Sequence, residues 1–221
     1  MPGRFYFWPL MGMLWFLSVS TAQGQEKASL LLSAATQDSH QMNMGDKKDG
    51  NGFQHVHALA MDAEGRTLFL AAHTGLFRSG DRGRSWKKVA MSTTQSGFDM
   101  MGVTPDPKDP KTIYVATHEA GVFKSTDGGE TWKQVNNGLG GMDVHGLAID
   151  PNTPQKLHAA VREKGEGIYK TTDGGGKWTR VDDGPQGEIK VLTSVNVPTG
   201  MGGIFLYAAT STGLQRSPDC F

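Results

Sequence analysis

Apolar residues fall in short runs along this chain, and the runs recur in a fixed order. A first run covers residues 56–61, 100–103, 144–149 and 189–195, and a second covers residues 67–72, 112–117, 156–161 and 204–210. A glycine then precedes a third, shorter run at Leu76-Phe77, Val122-Phe123, Ile168-Tyr169 and Leu214. A fourth follows a tryptophan, at residues 88–90 and in counterparts ending at Val135 and Val181. Turn formers separate the first and second runs: Asp62-Ala-Glu-Gly65, Asp106-Pro-Lys-Asp-Pro110 and Asp150-Pro-Asn-Thr-Pro154. Runs this short, punctuated by Gly, Pro and Asp, predict strands rather than helices.

One turn returns nearly unchanged: Ser79-Gly-Asp81-Arg-Gly83-Arg-Ser85-Trp86, Ser125-Thr-Asp127-Gly-Gly129-Glu-Thr131-Trp132 and Thr171-Thr-Asp173-Gly-Gly175-Gly-Lys177-Trp178. A fourth copy, Ser217-Pro-Asp219-Cys220-Phe221, starts the same way and ends with the chain, and each aspartate stands 46 residues after the last. Self-similarity at this period marks a propeller or solenoid, in which each unit buries its faces against its neighbours. Four short strands per unit make a propeller blade. The predicted fold is therefore an all-β propeller of four-stranded blades, at about residues 54–95, 96–141, 142–187 and 188–221. The turn explains itself mechanically: the aspartate accepts from backbone N–H groups that follow it, and Gly83, Gly129 and Gly175 permit positive φ. It should pin the hairpin between the third and fourth strands, with Trp86, Trp132 and Trp178 folding back into the core. Asp81, Asp127, Asp173 and Asp219 are thus expected to be structural.

At these residues the chain resembles the Asp-box (bacterial neuraminidase repeat) superfamily of β-propellers, which includes sialidases, xyloglucan-degrading glycosidases, the luminal domain of sortilin and photosystem II assembly factors. The stretch from Asp106 to Trp132 carries the resemblance best, with Tyr114-Val-Ala-Thr117 leading to Gly121-Val-Phe-Lys-Ser-Thr-Asp-Gly-Gly129. It implies the fold and leaves the activity open, because one fold hosts unrelated functions. Propellers of this kind usually carry more blades than four. Either a strand at residues 29–35 closes the outer edge, or the chain is part of a longer propeller whose unpaired edges favour self-association.

The first 24 residues stand apart from the rest. Arg4, an apolar run at residues 5–19 and the small, polar end Ala22-Gln23-Gly24 have the layout of a cleaved secretory signal peptide. That run contains Pro9 and Gly12 and falls short of the ~20 residues a spanning helix needs. Residues 25–53 then read as a polar linker or closing strand, and no later segment could span a membrane. The expected location is extracytoplasmic. With 22 basic and 22 acidic residues in all, the chain has no basic stripe, which argues against nucleic acid or an anionic membrane as partner. The single cysteine, Cys220, allows no intrachain disulfide.

Chemistry, if any, belongs on the channel rim opposite the aspartate turns. Repeat alignment puts His55, Asp99 and Asp143 in one equivalent position at the start of the first strand, and His57, Met101 and His145 in another. The loop after the second strand opens with His73, His118-Glu119, Arg162-Glu163 and Thr210. Five of the seven histidines (His55, His57, His73, His118 and His145) therefore converge on this rim, leaving His40 and His158 elsewhere. Imidazole with carboxylate suits zinc or another divalent ion, and imidazole with thioether suits copper. The competing reading makes them polar rim residues spaced by the repeat itself.

A sialidase, by resemblance, clamps its substrate with an arginine triad and attacks with a tyrosine–glutamate pair. Here only Arg162 maps to the rim, and Tyr114, Tyr169 and Tyr207 fall inside predicted strands, which argues against that activity. Another glycoside hydrolase would need two carboxyl groups roughly 5 to 9.5 Å apart, and Asp99, Asp143, Glu119 and Glu163 are the candidates by position. No phosphate loop, nucleophile elbow or paired-cysteine motif occurs. The favoured reading is a non-catalytic module binding a protein or glycan through its rim, with a rim-carboxylate hydrolase second and a periplasmic copper- or zinc-binding protein third.

Overall fold

The computed structural model describes residues 53–91, 99–181, 184–185, 188–196 and 204–217. The leader at residues 1–24, the segment expected to link or close the propeller up to residue 52, Asp219 and Cys220 lie outside the described residues. Every described element is a strand, and no helix among the described residues is long and apolar enough to cross a membrane.

The first sheet is the meander β1 (Val56–Met61), β2 (Leu68–Ala72), β3 (Gly75–Ser79) and β4 (Lys87–Lys88). The second is β5 (Met100–Pro105), β6 (Ile113–Thr117), β7 (Val122–Ser125) and β8 (Lys133–Gln134). The third is β9 (Val144–Ile149), β10 (Leu157–Val161), β11 (Gly167–Thr171) and β12 (Thr179–Val181). The fourth, with three strands among the described residues, is β13 (Ile189–Asn196), β14 (Ile204–Thr210) and β15 (Gly213–Arg216). Every pairing is antiparallel between sequence neighbours, and the four sheets form a four-bladed β-propeller, as the repeat predicts.

Packing explains why the second runs are continuously apolar. Successive side chains of a strand point to opposite faces, and a blade has a neighbour on each. In β6, Ile113 and Val115 enter the core shared with the first blade, whereas Tyr114 and Ala116 enter the core shared with the third. In β10, Leu157, Ala159 and Val161 face the second blade and Ala160 faces the fourth. Along the channel, β5 packs on β1, β9 on β5 and β13 on β9. Thr104 Oγ1 donates to Leu147 O (3.2 Å) and Ser194 Oγ to Ile149 O (2.6 Å), tying first strands together.

The recurring turns form as their residues dictate. Each connects third to fourth strand, and its glycine has positive φ (83° at Gly83, 91° at Gly129, 93° at Gly175). Ser79 Oγ donates to Asp81 Oδ1 (2.8 Å) and accepts from Gly83 N (2.8 Å), while Asp81 Oδ1 accepts from Ser85 N (2.9 Å). The second turn repeats these bonds from Ser125, Asp127, Gly129 and Thr131. In the third, Lys177 stands where Ser85 and Thr131 stand, so Asp173 keeps the backbone bond but lacks the hydroxyl donor. The tryptophans differ in the same way. Trp86 and Trp132 are half-buried and donate to their own turn glycines at 3.1 Å, whereas Trp178 is buried and donates to Val135 O of the preceding blade at 2.6 Å.

Candidate functional site at the channel rim

The first strand of each blade carries a β-bulge at the same place. Pairing skips from Val56 to Ala58, from Met100 to Gly102, from Gly146 to Val144 and from Ile189 to Val191. The residues left over are His57, Met101, His145 and Lys190, one per blade. A bulge re-aims the side chain of its extra residue, and all four line one cavity of about 560 Å³ along the channel. Two residues further along each strand, Leu59, Val103, Leu147 and Leu192 occupy equivalent positions in the lining, which also includes Thr104, Thr193 and Ser194. The repeat alignment foresaw three members of this ring; Lys190 is the addition.

A second regularity lies at the joints between blades. The loop after the second strand of one blade reaches the start of the first strand of the next, each time pairing a nitrogen base with an acid. His73 Nε2 lies 3.5 Å from Asp99 Oδ2, His118 Nδ1 lies 2.9 Å from Asp143 Oδ1, and Arg162 pairs with Glu188. The acid also meets the bulge residue of its own strand at the second and third joints: His145 Nε2 is 2.8 Å from Asp143 Oδ1, and Lys190 Nζ is 2.7 Å from Glu188 Oε2. At the first joint the extra partner comes from the preceding blade, because His57 stacks on His73 at 4.6 Å, with His55 tilted against His73 at 4.8 Å.

The predicted rim residues therefore assemble in two groups. His57, His73 and Asp99 form one and His118, Asp143 and His145 the other, each with three potential ligand atoms within 4.8 Å of one another. Asp143 is buried, and its Oδ2 has no hydrogen-bond partner. His55, with φ of 49°, borders the first group. Glu119 and Glu163 are exposed and join neither, and none of the four candidate acids lines the cavity. Glu188 went unnoticed in the sequence because its type differs from that of its counterparts, although it stands 45 residues after Asp143.

The groups influence one another electrostatically. Burial lowers the pKa of His57, aided by His73 and His118 and opposed by Asp99. Burial also pulls on His118, but backbone hydrogen bonding and the Asp143 and Asp99 carboxylates outweigh it and raise its pKa. His145 is lowered, first by burial and then by Arg162 and His118, against the pull of Asp143. Glu188 is lowered by its hydrogen bond to Lys190 and by Arg162.

Antiparallel four-stranded blades in sequence around a shared channel define the protein as a β-propeller. It belongs to the Sortilin-Vps10 family, whose profile (Sortilin, neurotensin receptor 3) matches residues 66–193, more than half of the chain. Among solved structures it is similar to the GH74 enzyme of Niastella koreensis (26% identity, TM-score 0.57), covering 73% of this chain and 27% of that one. It is also similar to the GH74 xyloglucanase of Xanthomonas campestris (19%, TM-score 0.51; 72% and 29% covered). A third likeness is to the extracellular domain of BT4673 from B. thetaiotaomicron (17%, TM-score 0.54; 74% and 20% covered). The chain thus spans less than a third of the length of each structure. No curated protein sequence matches it.

Proposed function

We propose that this chain is an exported Asp-box propeller whose channel rim binds a protein or glycan ligand without turning it over. The observation that carries the reading is the ring of four bulged residues, His57, Met101, His145 and Lys190, lining one channel cavity together with Leu59, Val103, Leu147 and Leu192. A recess that sets a few polar groups among apolar side chains suits selective binding. The acids that hydrolysis would need are either engaged by histidines, as Asp99 and Asp143 are, or exposed away from the cavity, as Glu119 and Glu163 are. Export follows from the leader-like first 24 residues and agrees with the extracellular domain among the structural neighbours.

Peptide and glycan arrays test the reading directly. Met101→Arg, which narrows the cavity, should reduce capture at least ten-fold and leave the fold intact. A glycan that is cleaved by the wild type and spared by Asp143→Asn would overturn it in favour of a glycoside hydrolase, the alternative that the GH74 likeness favours.

A further inference from the structure

The third joint shows what the second would be as a plain electrostatic latch. At the third, one carboxylate, Glu188, receives two permanent cations, Arg162 from the preceding blade and Lys190 two residues along its own strand. At the second, Asp143 receives His118 from the preceding blade and His145 two residues along its own strand. Position for position the two joints match, but both permanent cations have become imidazoles. We propose that the second joint, His118–Asp143–His145, is a binding site for one divalent transition-metal ion of the zinc class.

Charge and geometry both favour an ion there. A buried carboxylate needs a counter-charge, and among the described residues the side chains in direct contact with this one are two imidazoles, with no lysine or arginine on it. Asp143 is 8% exposed, and its Oδ2 is buried with no hydrogen-bond partner, whereas both imidazoles crowd Oδ1 at 2.8 and 2.9 Å. In a tetrahedral zinc site with bonds of about 2.1 Å the donor atoms sit roughly 3.4 Å apart, so a small outward shift of the rings admits the ion. Two imidazoles and a carboxylate are a donor set suited to zinc, and three protein ligands leave one coordination position open. Arg162, which pairs with Glu188, also places Nη1 3.1 Å from both ring nitrogens of His145, a contact that the ion has to displace. The His57–His73–Asp99 group at the first joint is a more exposed variant, which should hold the ion less tightly.

The test uses the full chain, stripped with EDTA and titrated with Zn²⁺ alone by calorimetry, with bound metal counted by elemental mass spectrometry. One tight equivalent is expected, and zinc should raise the melting temperature, since a ligand that binds only the folded state stabilises it. His118→Arg/His145→Lys converts the second joint into the third, so it should fold and melt like the metal-free wild type. Its tight equivalent should weaken at least ten-fold and its melting temperature should no longer respond to zinc. His118→Gln, which keeps a polar side chain, is the second variant and should show the same weakening. The proposal fails if the wild type shows no saturable binding, if either variant binds as the wild type does, or if the tight equivalent disappears only in His57→Ala/His73→Ala. Because the probe is the metal alone, a rim that captures no peptide or glycan leaves this result untouched.

Discussion

Two single side chains, one acidic and one basic, make the fold less stable as pH falls. The Asp81 carboxyl is held down to about 2 by the side chain and backbone of Ser85 and by Ser79. A depressed carboxyl stabilises the fold at pH values above its unfolded pKa, and the contribution disappears as pH falls through the folded value. His158 acts in the same direction, in a higher pH window. It lies in β10 at 7% exposure, and burial, aided by Lys170, lowers its pKa to about 4. The unfolded chain takes up that proton near pH 6.5 and the folded chain does not until about pH 4, so folding weakens as pH drops through this window. The full effect is of the order of 3 kcal/mol. In urea denaturation series at pH 7.5 and 5, His158→Gln should lose less stability between the two than the wild type. Subtracting the curves isolates His158 from the other titrating groups.

At the level of strands and turns, the sequence was an accurate guide. The first strands Val56–Met61 and Val144–Ile149 coincide with their predicted runs, each an apolar stretch ended by an Asp-containing turn. The bulges were not legible. A bulge is a mismatch between two strands, and nothing in His57 or Lys190 taken alone records how β2 or β14 pairs opposite it. Loops that approach a neighbouring blade were hidden for a similar reason. Gly138, with φ of 91°, sits so close to the third blade that an added Cβ would lie 2.2 Å from Trp178 O. Gly138→Ala should therefore destabilise by about 2 kcal/mol or more, measured as a lower urea midpoint at unchanged m-value. A wild-type midpoint would mean that the loop can retreat without cost.

Over the whole molecule, the histidine convergence was legible because a fixed repeat forces equivalent positions onto one rim, whatever the residues are. Which base meets which acid was not, since each contact joins consecutive blades and the third joint uses Arg162 and Glu188 in place of histidine and aspartate. The two outer first strands also behave differently from the inner pair. Val56, Leu59 and Met61 on β1 are 52%, 61% and 48% exposed, and Val191 and Val195 on β13 are 55% and 43% exposed. Apolar faces of this kind favour association. Sedimentation velocity over a concentration series should show oligomers, and Leu59→Lys/Val191→Lys should shift them to monomer. Monomer throughout for the wild type would show that these faces stay uncovered in solution.

The joints have an evolutionary consequence as well. Each is written in two places of the chain about 26 residues apart, at strand ends rather than among the apolar core side chains, so its chemistry can change without repacking any sheet. A duplicated blade would arrive with half of a joint on each side, ready to be completed by whatever neighbour it meets. Specificity could then diversify around the circumference one seam at a time, while the scaffold beneath stayed the same.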